Sequence, residues 1–193
     1  MNQLNDLSGE YYLKGMMEMA SAFVAQPDQT FQFYFTYGAL DRYGSGTWAR
    51  EGNQMVFNSV SPLQPPYRLV SSHRSEEDDV RISIVGEPAI FRRHTFCRLG
   101  NSADAEWIQM DESGEMNYQP QPVSSISLVL EFCSEKTATI PSLDPTHNTF
   151  VFEWSDDIME VYFRDFALRI GDNMLTGMHP LLTGKECSFE KAR

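Results

Sequence analysis

The sequence predicts an all-β protein, with antiparallel meanders at both ends that can close one barrel and a β-sandwich-like unit between them. Three observations predict it. Apolar and polar side chains alternate with a period of two wherever a clear period exists, which marks half-buried strands rather than helices. Turn-forming residues recur at short intervals between these runs, as at Pro27-Asp28, Gly44-Ser45-Gly46, Glu51-Gly52-Asn53 and Gly171-Asp172-Asn173. Hydrophobic residues make up 41% and charged residues 22% of the 193 residues, enough to bury a core in one large β domain or two small ones.

The amino-terminal meander is assigned to residues 1–60. Its first segment, Tyr11 to Val24, fits a strand with Tyr11, Leu13, Met17, Met19 and Phe23 inward. A helix with Leu13, Met16, Met17, Ala20 and Phe23 along one stripe competes with it. Gly15 and the Pro27-Asp28 link to the next run favour the strand. That next run is unambiguous: Phe31, Phe33, Phe35 and Tyr37 share one side, and Gln32, Tyr34 and Thr36 the other. A loop of mixed aromatic, charged and flexible residues follows, from Tyr37 to Trp48, and includes Asp41, Arg42 and Tyr43.

Pro62, Pro65 and Pro66, followed by the acidic run Glu76 to Asp79, mark residues 61–79 as a linker. Residues 80–140 form the sandwich-like middle unit, with strands at Val80-Ile82-Ile84 and Ile126-Leu128-Leu130. Arg92-Arg93-His94, with Arg98 nearby, fits the exposed face of a strand. Pro141, Pro145 and Asn148 interrupt the pattern before a carboxy-terminal meander, 141–193. Its strands carry Phe150, Phe152 and Trp154, then Phe166, Leu168 and Ile170.

Charge narrows the function classes. Fifteen Lys and Arg against 27 Asp and Glu give a formal charge of −12, which repels phosphate backbones and anionic lipid surfaces. Nucleic acid and membrane are therefore not expected as partners; a basic protein is. The longest apolar runs fall far short of the ~20 residues that a spanning helix needs. No basic stretch followed by an apolar run opens the chain, and Cys97, Cys133 and Cys187 sit among apolar neighbours like reduced core thiols, so a cytoplasmic location is expected.

Catalytic and metal signatures are weak. His73, His94, His147 and His179 are scattered, no paired Cys or His announces a metal, and no glycine-rich phosphate loop precedes a helical pattern. No cofactor is expected. Glu18, Glu153 and Glu160 lie within otherwise apolar runs, where two acids in a cleft could divide acid and base roles. Alternation places Glu153 on a solvent face, so catalytic residues are not assigned.

Two resemblances add to this reading. Gly9-Glu-Tyr-Tyr-Leu13 through Gly46-Thr-Trp48 resembles part of a calycin or lipocalin-like barrel, in which Gly-x-Trp accompanies a closing strand. Val80 to Gly86, Trp107 to Gly114 with its Asp-x-x-Gly turn, and Ile126 to Leu130 are similar to the transthyretin-like regulatory sandwich. The barrel resemblance implies that the two ends form one sheet around an aromatic interior, with the middle unit inserted. The expected function is non-catalytic binding. A small apolar ligand would sit among Tyr11, Phe31, Phe33, Phe35 and Trp154, or a protein partner would meet the rim of Tyr37, Asp41, Arg42, Tyr43 and Trp48. The alternatives are an acidic inhibitor or immunity-type protein that binds a basic partner, and a hydrolase or isomerase using paired carboxylates.

Overall fold

The computed structural model describes residues 7–60, 64–100, 105–142 and 144–192. It is all-β and divides into two compact units, one of Met1–Pro62 with Met159–Arg193 and one of Leu63–Ile158. The first unit is a closed barrel of eight antiparallel strands. Five come from the amino-terminal part: β1 (Gly9–Leu13), β2 (Met19–Ala25), β3 (Thr30–Tyr37), β4 (Leu40–Glu51) and β5 (Gln54–Asn58). Three come from the end of the chain: β14 (Phe166–Gly171), β15 (Met174–Met178) and β16 (Glu186–Lys191). Neighbours in the barrel are neighbours in sequence, except that β5 pairs with β14 across the insertion and β16 closes on β1.

The alternation seen in sequence sets the barrel wall. Phe31, Phe33 and Phe35 of β3 are buried, whereas Gln32, Tyr34 and Thr36 are exposed. Phe23, on β2, occupies the centre, its ring 4.5 Å from that of Phe57, 4.8 Å from Phe33, 5.1 Å from Phe189 and 5.6 Å from Phe163. Rings tilted or edge-on at these separations are the favoured aromatic geometry, and each ring so buried contributes roughly 1.5–3 kcal/mol. Side chains thus fill the middle of the barrel.

The region Tyr11 to Val24 is a pair of strands, with Gly15 at a φ of +75° in the turn between them. Met17, expected inward, lies in that turn and is 89% exposed. The Tyr37 to Trp48 loop is also corrected: only Gly38 and Ala39 turn, and β4 runs twelve residues without interruption. Gly44-Ser45-Gly46 is strand, not turn. Its glycines stand where other backbone crosses the inner wall, since a Cβ on Gly44 would lie 2.5 Å from the Val161 carbonyl oxygen and one on Gly46 would collide with that of Asn58.

The inserted unit contains two four-stranded sheets. One has the order β10 (Glu115–Tyr118), β7 (Val80–Val85), β13 (Thr149–Trp154), β6 (Tyr67–His73); the other has β12 (Ala138–Pro141), β11 (Ser125–Leu130), β8 (Thr95–Leu99), β9 (Ile108–Gln109). Its strand β6 lies inside the stretch assigned to a linker, and the acidic run that follows is ordered by Asn148, whose amide donates to the carbonyls of Glu77 and Asp79. Arg92, Arg93 and His94 end a 3-10 helix, Ala89–His94, instead of lying on a strand.

The largest correction concerns the carboxy-terminal segment. Residues 141–158 belong to the inserted unit, because β13 pairs with β6 and in parallel with β7, and the barrel resumes only at Met159. Phe150, Phe152 and Trp154 alternate as a barrel strand would. Period two fixes which side chains are buried, but not which sheet buries them.

Candidate functional site at the barrel mouth

The two ends of the barrel differ. At one end, the connection from β15 to β16 folds inward, and Leu181 and Leu182 pack on the core. His179 is buried there, its ring 5.5 Å from that of Phe35 and 5.9 Å from that of Phe189. The Leu181 backbone N–H donates to its Nδ1 at 3.1 Å, which leaves the ring proton on Nε2. Burial lowers its pKa from 6.5 to about 4, so the ring is neutral near pH 7. Arg42 points inward at the same end, 3% exposed, with Nε donating to the Met159 carbonyl at 2.8 Å and a terminal nitrogen to that of Glu160 at 3.3 Å. This guanidinium fastens the returning chain to β4.

At the other end lies a recess of about 610 Å³. Tyr11 supplies its floor, 2% exposed and held by a hydrogen bond from its hydroxyl to the Leu7 carbonyl at 2.8 Å. Ile170 and Met174 supply apolar wall; Arg50, Asp172 and Lys191 supply charge. Lys191 pairs with Tyr11 across β16 and β1, and its ammonium lies 5.8 Å from the Tyr11 ring centroid. Gly9 leaves open space beside it. It has a φ of +143°, and a Cβ there would stand 2.7 Å from the Lys191 Cε. The lysine stem lies along the wall in that space.

The residues singled out from sequence are distributed as follows. Tyr11 lines this mouth, and Phe31 and Phe33 belong to the packed interior. Phe35 contacts His179 at the opposite end. Trp48 is buried, its indole N–H donating to the Gln26 carbonyl at 3.0 Å. Tyr37, Asp41 and Tyr43 are exposed, with Asp41 and Tyr43 on the outer wall, while Arg42 between them faces in. Trp154 is corrected: it lies in the inserted unit, donating its indole N–H to the Glu87 carbonyl at 3.1 Å and packing against Gly86 and Phe91. Arg50, Lys191, Gly9 and Ile170 are the mouth residues that sequence reasoning missed. The inward row Cys187, Phe189, Lys191 has period two and carries the signal for Lys191.

Other chemistry stays dispersed. Glu18 sits in the exposed β1–β2 turn, and Glu153 is ion-paired with Arg68 in the inserted unit. All three cysteines are buried and none forms a disulfide, and burial raises the Cys97 and Cys187 thiols to about 11, which keeps them protonated. Among the described residues no group of His, Cys, Asp and Glu is placed to hold a metal, and no helix is long and apolar enough to cross a membrane. No family model, curated protein or solved structure matches the chain.

Proposed function

We propose that the protein is a non-catalytic binding module that takes a small amphiphile at the open mouth of its barrel. The apolar or aromatic body of the ligand rests on Tyr11 and Ile170, and its carboxylate or similar anionic group faces Arg50 and Lys191. One observation carries this reading. In a chain of net charge −12, one recess is lined by two cations and a single carboxylate, Asp172, with the Lys191 stem lying beside Gly9. Attraction of an anion into a partly enclosed, low-dielectric mouth is stronger than at an open surface.

The resemblance to a calycin or lipocalin-like barrel supports the same reading, since an eight-stranded barrel is the size that holds one small ligand. Because phenylalanine rings occupy the centre, the ligand is placed at the mouth instead of the middle. The paired sheets of the inserted unit and its Asp111–Gly114 turn, closed by Gly114 N–H to the Asp111 carbonyl at 3.1 Å, are in keeping with a transthyretin-like sandwich.

The test is titration with a panel of aromatic and medium-chain carboxylates, each paired with its neutral alcohol, followed by calorimetry. Carboxylates should bind at least tenfold more tightly than their alcohols, about 1.4 kcal/mol. Lys191→Gln and Arg50→Gln should each remove most of that difference. Equal binding of acid and alcohol, or a difference that survives both substitutions, rejects the mouth as an anion site.

A further inference from the structure

The outer wall of the barrel carries a feature independent of the mouth. Tyr12 pairs with Ala22, Ala22 with Tyr34, and Tyr34 with Tyr43, so one cross-strand row spans β1 to β4. All three tyrosines in this row are exposed, at 46%, 45% and 50%. Between Tyr12 and Tyr34 the wall is floored by small side chains, Ala20, Ala22 and Val24, which leaves a groove of about 530 Å³. The walls are held in place. The Tyr12 hydroxyl donates to the Glu10 carboxylate, and the Tyr34 hydroxyl donates to the Gln32 side-chain oxygen at 2.7 Å. Fixing two large rings before contact lowers the entropy lost on binding.

The margins of the row are acidic. Glu190 pairs with Tyr12 from β16, Glu10 lies on the same face two residues before Tyr12, and Asp41 lies two residues before Tyr43. Lys14 is the cation beside them, 2.9 Å from Glu190. Tyrosine faces among carboxylates suit guanidinium groups, which stack on rings and donate bidentate hydrogen bonds to carboxylates. At Tyr12, Ala22 and Tyr34 the strands β1, β2 and β3 are paired on both sides, so a partner must be recognised here by side chains and not by adding a strand.

We propose that the Tyr12–Ala22–Tyr34–Tyr43 face is a docking surface for an extended, arginine-bearing segment of a partner protein. The backbone of that segment lies along the alanine floor, its guanidinium groups stack on the tyrosines, and the flanking carboxylates neutralise them. Charge complementarity selects this occupant over an acidic or apolar one.

The experiment uses the full chain and two fluorescent peptides of equal length, one alternating Arg with Gly and the other alternating Glu with Gly. Fluorescence anisotropy is read at low and at 0.3 M salt. The arginine peptide should bind, weaken as salt rises, and lose at least tenfold in affinity with the double substitution Tyr12→Ala, Tyr34→Ala. Circular dichroism checks that the double variant is folded. If it is not, Tyr43→Ala and Glu10→Gln probe the same face, each expected to cost three- to fivefold. Affinity unchanged in these variants would show attraction to net charge alone and overturn the proposal. So would equal binding of the glutamate peptide, or sedimentation showing that the tyrosines instead hold two copies of this chain together. Lys191→Gln should leave arginine-peptide binding intact, which separates this face from the mouth.

Discussion

At the scale of single residues, the barrel interior departs from a plain apolar core at His179 and Arg42. The neutral ring of His179 has a testable consequence. Its folded pKa of about 4 lies below the ordinary value of 6.5, so the unfolded chain binds the extra proton first. Its contribution is complete above pH 6.5 and is lost as pH falls from 6.5 through 4, a loss of up to about 3 kcal/mol. Asp28, Asp111 and Asp144, each held below 3.8 by hydrogen bonds from Thr30, Ser113 and Thr146, act in the same sense, losing stabilisation as pH falls, but in a lower window. Their stabilisation disappears only below pH 3.8. Urea titrations between pH 7 and 4.5 should therefore show a decline in the natural protein that His179→Phe flattens. An identical slope in the variant would mean that the imidazole is not the group being titrated. Arg42 was half legible in sequence: once β4 is a strand, Leu40, Arg42, Gly44, Gly46 and Trp48 form an inward row. The glycines argued for a turn, and their real cause, backbone crossing at Val161 and Asn58, is a tertiary contact that no local pattern records.

At the scale of elements, the segment from Met159 to Asp165 carries more of the fold than its irregular sequence suggests. It enters beside β4 through a bridge between Tyr43 and Glu160, with the Val161 N–H donating to the Tyr43 carbonyl at 2.7 Å. It then bonds the end of β5, the Ser59 N–H donating to the Phe163 carbonyl at 2.8 Å. Between these two anchors it sends Phe163 into the ring cluster, 5.2 Å from Phe33 and 5.3 Å from Phe31. Phe163→Ala should cost about 3–5 kcal/mol in denaturant titrations. It should also open a dry, apolar void in which benzene raises the melting temperature, an effect absent from the natural protein. A cost under 1 kcal/mol would show that the interior closes over the gap. The strands flanking this segment were readable by period two, but the segment has no period, and its role depends on two partners more than a hundred residues away.

At the scale of the whole molecule, the barrel is interrupted between its fifth and sixth strands. Both ends of the interruption are tied to the barrel wall, Ser59 through Phe163 and Met159 through Arg42. Replacing residues 63–158 by a short Gly/Ser linker should leave a closed, cooperatively melting β protein with the strand signature of the barrel. The excised unit, expressed alone, should fold as well, because sixteen buried apolar residues among those described, Phe150, Phe152 and Trp154 included, lie within it. Loss of cooperative melting in either piece would count against two independent cores. The all-β class was legible from alternation and turn chemistry, whereas the union of the two chain ends followed only from the resemblance of the amino-terminal meander to a lipocalin-like barrel. The boundary at Met159 was not, since Phe150 to Trp154 satisfies the same local rule as a barrel strand.

The two units also differ in their exposure to runaway self-association. A closed cylinder has no seam to which a further copy can be stitched, whereas the inserted unit ends in four outermost strands, β6, β10, β9 and β12. Each is blunted in its own way: β9 has only two residues, β12 finishes on Pro141, β10 has four, and the register between β6 and β13 shifts midway. If this protein ever grows fibrils, their templates lie in the insertion, and its short or irregular borders are what delays them.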